Sequence, residues 1–242
     1  MNPPADEREA RIELAAAFRV AVTFDFHEGI SNHFSILMPD HDDRFLINQY
    51  GLHFSEVTAS SLAVVGVDGT PISGTAPPTG IGIHAPIHRL CPQARVVLHT
   101  HQPWTTALAM QDELHLAPIS QTSLQFTDRV VYDERYEGLA DLDEGERLAK
   151  VLGPAEVMFL RHHGILVAGP ELGVAMDDLY MLEKAAQLQV LASGLGPLTP
   201  IRAETIERTR SQFGGEAMAL WGRLHWAAML RTVERTQPDF RD

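Results

Sequence analysis

The fold is decided by residues 96–101, Val-Val-Leu-His-Thr-His (VVLHTH). The apolar, β-branched run follows a turn at Pro92 and predicts a strand. Because side chains alternate along a strand, His99 and His101 lie on one face and Thr100 on the other. A rise of about 3.3 Å per residue lets both imidazoles converge on one metal ion. Taken alone, the H-x-H pattern is more often a pair of surface histidines on an edge strand than a metal site.

A second pair, His162 and His163, lies in the segment MFLRHHGIL at residues 158–166. Gly164 opens a turn there between two predicted strands. Neighbouring side chains on an extended chain point apart, so only one of the two histidines can face the H-x-H pair. Three imidazoles with an open fourth position are typical of a catalytic metal site. The sequence therefore predicts a divalent-metal site built from three histidines.

Helices and strands alternate along the rest of the chain, without an internal repeat or a long linker. Apolar residues recur every four positions within Glu7–Phe26, which predicts an amphipathic helix. Further helices are predicted at 79–90 with Thr79 as N-cap, from about 104, at 144–152, from 172, and after 200 with a break at Gly214-Gly215. Further strands are predicted at 34–38, 45–48, 62–67, 157–160 and 165–168. This order predicts one α/β domain over residues 1–242 with a mainly antiparallel sheet.

The composition argues against several classes of partner. A net charge of -13 disfavours nucleic acids and anionic membranes, because both are bound through clustered Lys and Arg. No stretch approaches eighteen apolar residues, and the first nine residues do not resemble a signal peptide. Cys91 is the single cysteine, so an internal disulfide is excluded and a core position is expected for it. We expect a cytoplasmic protein that acts on a small molecule.

Three segments carry a family resemblance: FLINQYGLHFSEVTASSLAVVGVDG at 45–69, VVLHTHQPWTTALAM at 96–110 and FLRHHGILVAG at 159–169. Together they resemble the class II aldolase/adducin family, and the first is similar to the head domain of adducin and its bacterial relatives. The resemblance implies a three-layer α/β/α sandwich and a homotetramer with active sites at subunit interfaces. It also implies one divalent ion, zinc first and manganese, iron or cobalt as alternatives, held by His99, His101 and His163.

The chain departs from the sugar-phosphate aldolases of that family at two places. Their acid/base glutamate maps to Gly80, and none of the neighbouring residues is a carboxylate. Their phosphate-binding segments map to GISNHFS at 29–35, to Tyr50-Gly51 and to Pro78-Thr79, none of which contains Lys or Arg. A phosphorylated sugar is therefore not expected as the substrate.

Histidines are the expected replacements for the missing glutamate, since imidazole serves as an acid or a base near neutral pH. Residues in segments that border the family's active site are His33, His53, His84 and His88. We take the first three as candidate catalytic residues, although His84 and His88 are also spaced for packing on one helix face. The candidate substrate-binding residues are Ser31, Asn32, Tyr50, Gly51 and Gly80.

The resemblance implies a metal-dependent lyase that cleaves a C–C bond by decarboxylation or retro-aldol reaction. The metal would act as a Lewis acid that stabilises an enolate. Decarboxylation fits the missing glutamate better, because loss of CO2 requires no proton abstraction. Two alternatives stay open at this point. One is a non-haem Fe(II) oxygenase, and the other is a non-catalytic, adducin-like interaction module.

Overall fold

The computed structural model describes residues 4–113, 115–212 and 215–242, which form seven α-helices and eight strands. The helices are α1 (Glu7–Thr23), α2 (Pro78–Leu90), α3 (Pro103–Ala109), α4 (Leu142–Leu152), α5 (Leu172–Ser193), α6 (Ala203–Gln212) and α7 (Glu216–Thr236). The strands are β1 (His33–Leu37), β2 (Arg44–Ile47), β3 (Ala63–Gly66), β4 (Pro71–Ser73), β5 (Val96–Thr100), β6 (Val130–Asp133), β7 (Val157–Leu160) and β8 (Gly164–Gly169).

All eight strands form one sheet in the order β4-β3-β2-β1-β5-β8-β7-β6. Every neighbouring pair is antiparallel except β6 and β7, which confirms the predicted α/β class and the mainly antiparallel sheet. The sequence reading missed the two edge strands. β4 has three residues and is fully exposed, and β6 is only partly buried, so neither shows a strong hydrophobic pattern.

Alternate residues of the central strands pack on opposite faces of the sheet, as the period of two requires. In β5, Val96 and Leu98 join a core formed with helices α1, α5 and α7. Val97 lies on the other face and packs with residues of α2 and α4. His99 continues the face of Val97, so the H-x-H pair lies on the side of the sheet that α2 covers.

Some predicted boundaries differ from the observed ones. Helix α1 ends at Thr23 rather than Phe26, because Asp25 adopts a positive φ of 60° and turns the chain. Helix α2 begins at Pro78, so Thr79 lies in its first turn and Pro77 takes the N-cap position that was predicted for Thr79. Proline fits the first turn of a helix because no intrahelical partner exists there for its missing N–H. The predicted break at Gly214-Gly215 falls partly outside the described residues, and α7 begins after Gly215.

Candidate metal centre and adjoining cavity

Three histidines converge at the end of β5. One ring nitrogen from each of His99, His101 and His163 lies within 4.8 Å of the other two. His163 lies at the turn between β7 and β8, where His162 adopts a left-handed φ of 59°. This turn brings His163, and not its neighbour, to the H-x-H pair.

Hydrogen bonds on the outer side of two rings orient their inner nitrogens. His99 Nδ1–H donates to the backbone carbonyl of Ile165 at 2.9 Å, and His101 Nδ1–H donates to Glu28 Oε2 at 2.6 Å. A neutral imidazole has one N–H, so Nε2 of each ring is left as a lone-pair donor. These two Nε2 atoms lie 3.1 Å apart. Unprotonated nitrogens so close together repel one another unless a cation lies between them, so the residues fit a divalent metal.

The surroundings also keep the imidazoles of His99 and His163 neutral. Burial and the neighbouring histidines lower the pKa of His99 well below its usual value. Burial, with His101 as a second cause, lowers the pKa of His163 to about 4. Their nitrogens therefore carry free lone pairs at neutral pH, which metal coordination requires. Imidazole donors with an open fourth position suit zinc, and also manganese, iron or cobalt.

Gly164 permits the close approach that completes this cluster. A Cβ atom at this position would lie 2.4 Å from the carbonyl oxygen of Thr100 and 2.8 Å from Cδ2 of His101. Any side chain here would push the start of β8 away from the end of β5. Glycine is therefore required at position 164 by the close packing of β5 and β8, and not by the flexibility of its backbone.

A cavity of about 400 Å³ opens beside the three histidines. Of the predicted site residues, Ser31, His33 and Tyr50 line it together with the histidine cluster. The remaining wall residues are Glu28, Ile30, Pro77, Thr79, Ile83, Tyr136, Leu139 and Ala140. No Lys or Arg is found among these lining residues of the described chain, so the cavity offers no cation other than a bound metal.

Two predicted catalytic residues do not line this cavity. His84 is fully buried in α2 and contacts the inner side of His33. His53 is the N-cap of a short 3-10 helix, where its Nδ1 accepts from the backbone N–H of Ser55. Its ring packs edge-on against His27 with centroids 4.7 Å apart. Both rings are thus held by structural contacts away from the cavity surface.

Three predicted substrate-binding residues also lie off the cavity wall. Asn32 is completely buried, and its Oδ1 accepts from the backbone N–H of Glu28 at 2.6 Å. Gly51 has a φ of 88° and shapes the turn after Tyr50. Gly80 packs directly against His33, where an added Cβ would lie 3.2 Å from Cγ of that ring. The space that a side chain at position 80 would need is therefore filled by the His33 imidazole.

Glu28 and Tyr136 are site residues that the sequence reading missed. Glu28 orients His101, and metal-bound histidines commonly donate their second N–H to a carboxylate. That rule predicts an acidic partner but cannot select one among 32 Asp and Glu residues. Tyr136 follows the unpredicted strand β6, and its ring centroid lies 6.1 Å from that of His163. No local pattern in the sequence predicts that Tyr136 belongs to the site.

Comparison with known proteins agrees with this arrangement. The family described as "Class II Aldolase and Adducin N-terminal domain" matches residues 12–190. The chain belongs to this family. It is 34% identical over 98% of its length to a Caulobacter vibrioides protein with the provisional name of an aldolase class 2 protein, of which it covers 93%.

Two solved structures of the family are similar over nearly the whole chain. An aldolase II superfamily protein from Pseudomonas syringae is 38% identical, with a TM-score of 0.89, over 100% of this chain and 98% of that one. An L-fuculose 1-phosphate aldolase from Glaciozyma antarctica PI12 is 25% identical, with a TM-score of 0.86, over 98% of this chain and 93% of that one. Within the described ranges, no helix of this class II aldolase homologue is long and apolar enough to cross a membrane.

Proposed function

We propose that this protein is a metal-dependent lyase that cleaves a C–C bond of a non-phosphorylated carbonyl or carboxylate substrate. The observation that carries the proposal is the convergence of His99, His101 and His163 on the wall of a 400 Å³ cavity. A structural metal site is closed by four protein ligands, whereas three ligands beside an open cavity leave room for a substrate. Decarboxylation and retro-aldol cleavage both fit this arrangement.

The metal, when bound, would supply Lewis-acid chemistry that polarises a carbonyl oxygen and stabilises the negative charge left when the C–C bond breaks. The residues of the chain hold and orient its site. Glu28 and the carbonyl of Ile165 fix the rings of His101 and His99 with Nε2 directed inwards. Ser31 and Thr79 line the cavity wall, and we propose that their hydroxyl groups hydrogen-bond substrate oxygens.

The cavity lining supports a substrate without a phosphate group. Phosphate groups in proteins are commonly bound by Lys or Arg, and the described cavity wall includes no basic side chain besides histidine; the N-terminal turn of α2 is the feature of this wall that can attract an anion. The nearby Arg135 and Arg161 are paired with Glu137 and Glu134. Apolar contacts from Ile30, Tyr50, Tyr136 and Leu139 favour a substrate with a hydrophobic portion.

The proposal also includes assembly and location. Following its family, we propose a cytoplasmic homotetramer with active sites at subunit interfaces and a three-layer α/β/α arrangement of each subunit. Exposed apolar side chains at the cavity mouth, such as Ile30 and Leu139 at 45% and 84% exposure, support a neighbouring subunit there. Burial of such residues against a second chain would be favourable.

Metal analysis tests the site directly. The purified protein should contain about one zinc, manganese, iron or cobalt ion per chain, and the double change His99→Ala with His101→Ala should remove it. His162→Asn is the matched control, because it changes the adjacent histidine at a left-handed position that Asn tolerates, and it should retain the metal. A double variant with unchanged metal content would contradict the site.

The reaction type is tested by incubating the metal-loaded protein with aromatic hydroxy-acids and aldols, with and without oxygen. A lyase should release its products at the same rate in both atmospheres. Strict dependence on O2 would overturn the lyase assignment in favour of an oxygenase. A stoichiometric metal without turnover of any compound would instead favour an adducin-like binding role.

A further inference from the structure

A second cluster of histidines lies beneath the cavity, on the face of the sheet that α2 covers. His33 and Ser35 are two residues apart in β1 and therefore point to the same side. His84 and His88 are four residues apart in α2 and therefore also share a face. All four side chains are buried, with at most 6% of their surface exposed.

These side chains form one continuous chain of hydrogen bonds. His33 Nδ1 lies 2.8 Å from His84 Nε2, and His84 Nδ1 lies 2.5 Å from Ser35 Oγ. Ser35 Oγ lies 2.7 Å from His88 Nε2, and His88 Nδ1 lies 2.7 Å from the carbonyl oxygen of Ala94. The chain thus runs from the backbone at Ala94 to His33, which lines the cavity.

The Ala94 carbonyl determines the direction of every hydrogen bond in this chain. A carbonyl oxygen can only accept, so the proton of the neutral His88 is on Nδ1 and its Nε2 must accept from Ser35. The single hydroxyl proton of Ser35 is then used, so Ser35 Oγ accepts from His84 Nδ1–H. His84 Nε2 accepts in turn from His33 Nδ1–H. His33 therefore carries its proton on Nδ1, and its Nε2 is an unprotonated acceptor.

Nε2 of His33 has no hydrogen-bond partner in the described part of the chain, while Nδ1 is held by His84. His33 faces His99 across the β1–β5 pair, and their ring centroids lie 4.9 Å apart. The ring that carries the free acceptor is therefore next to the histidine cluster that we propose to hold the metal, and it lines the same cavity. Gly80 leaves the space that this ring occupies.

We infer that His33 Nε2 accepts a hydrogen bond from a substrate hydroxyl group adjacent to the oxygen that the metal binds. The inference rests on the proposed function and narrows the substrate class to compounds with a free hydroxyl beside a carbonyl or carboxylate. Ser35, His84 and His88 act as positioning residues, because they hold His33 in one tautomer. An ether at the same position cannot donate and should bind more weakly.

Nitrogen NMR of the histidine side chains tests the tautomers without metal or substrate. In the wild-type protein near neutral pH, His33, His84 and His88 should each be protonated at Nδ1 only. Ser35→Ala removes the central hydroxyl, and His33 and His84 should then become mixtures of tautomers. Ser193→Ala is the control, because Ser193 is exposed at the end of α5 and is not part of the hydrogen-bonded series from Ala94 to His33. It should leave the spectrum unchanged. A His33 protonated at Nε2 in the wild type would overturn the inference, whether or not Ser35→Ala folds.

Ligand binding tests the role of the acceptor, with glycolate and methoxyacetate as probes for calorimetry on the zinc-loaded protein. The wild-type protein should bind glycolate about five- to tenfold more tightly than methoxyacetate, because only glycolate can donate a hydrogen bond to His33 Nε2. His33→Asn retains a donor near Nδ1 but loses the acceptor near Nε2, and it should abolish this preference. His33→Gln places an amide oxygen near Nε2 and should retain most of it.

The outcomes separate this inference from the proposed function. A preference that is unchanged in His33→Asn, while zinc content stays at one per chain, overturns the role of His33 alone. Loss of zinc in His33→Asn would make His33 a metal ligand and would also overturn the inference. A wild-type protein that binds no zinc contradicts the proposed function, and with it the binding role of His33.

Discussion

At the scale of the residue, hydrogen bonds decide which nitrogen of each histidine is available. The same residue type has two roles in this protein. His99 and His101 present Nε2 because a carbonyl and a carboxylate hold their Nδ1–H groups. His84 and His88 present no free nitrogen, since both of their ring nitrogens have partners. Counting histidines in the sequence cannot distinguish these cases, because the partners lie on other strands and helices.

Glu13 in α1 is a half-buried carboxyl group outside the site. Burial, with the nearby Glu9 as a second cause, raises its pKa from 4.5 to about 7. A carboxyl group whose pKa is higher in the folded state stabilises the fold only while it is protonated. Its contribution is fully present below pH 4.5 and is lost as the pH rises through about 7.

We therefore expect Glu13→Gln to raise the free energy of unfolding at pH 8 by about 1–3 kcal/mol, a range reduced for the partial exposure of the group. At pH 4.5 the two proteins should differ by less than about 0.5 kcal/mol, since the glutamate is protonated in the folded state and half protonated in the unfolded state. Urea unfolding at the two pH values measures this difference. The exposed Glu204→Gln should change neither value by more than about 0.5 kcal/mol. Equal stabilisation at both pH values would contradict the pKa assignment.

At the scale of the element, helix α2 is the part that organises the site. Its first turn contributes to the cavity wall, and its later turns carry His84 and His88 beneath the cavity. The position of α2 depends on its crossing with α4, where Gly82 and Gly145 meet. An added Cβ on Gly145 would lie 1.9 Å from the carbonyl oxygen of Gly82. The two helices can approach so closely only because both residues are glycine.

Gly145→Ala should therefore force α2 and α4 apart and lower the free energy of unfolding by about 1–3 kcal/mol, despite the better helix propensity of alanine. Denaturant unfolding measures the loss. Gly194→Ala is the matched control, because Gly194 has an ordinary φ of -70° at the end of α5 and its nearest neighbouring atom would lie 3.5 Å away. The control should be neutral or slightly stabilising. A neutral or stabilising effect of Gly145→Ala would contradict the prediction, because it would show that the contact between α2 and α4 has room for a side chain.

Helices and strands with a strong hydrophobic pattern could be predicted from the sequence, and those with a weak pattern could not. The central strands and helices α1 and α2 follow clear hydrophobic periodicity, so their presence and type were predicted correctly. Strands β4 and β6 pair at the two edges of the sheet and bury little. Their backbone conformation depends on the neighbouring strand, which no local window of sequence contains.

At the scale of the whole molecule, one face of α7 has no partner within the described chain. Leu220, Trp221 and Leu224 are between 52% and 62% exposed, while Trp226 on the opposite side is buried in the core. Large exposed apolar side chains clustered on one helix are typical of a protein interface. This surface fits the homotetramer that we propose.

We expect the double change Trp221→Glu with Leu224→Glu to produce a smaller assembly than the wild type, because paired charges at an apolar interface lose their hydration. Sedimentation velocity measures the assembly directly. Leu90→Glu, an exposed leucine at the end of α2, serves as the control and should leave the assembly unchanged. A wild-type protein that sediments as a monomer would contradict the tetramer.

The sequence by itself determined the features that local chemistry specifies. The alternation along residues 96–101 places His99 and His101 on one face. The sequence also shows directly that no carboxylate is adjacent to Gly80. The family and the mainly antiparallel sheet also followed from the sequence. The single-domain organisation over residues 1–242 stays a prediction.

Only the tertiary structure decided which groups meet. It joined Glu28 to His101, it filled the space beside Gly80 with His33, and it brought His163, which the family resemblance had already named, beside the H-x-H pair. Each of these contacts joins elements that are distant in the chain and depends on strand register and helix packing. The partners of the histidines are therefore a property of the fold, although the histidines themselves are visible in the sequence.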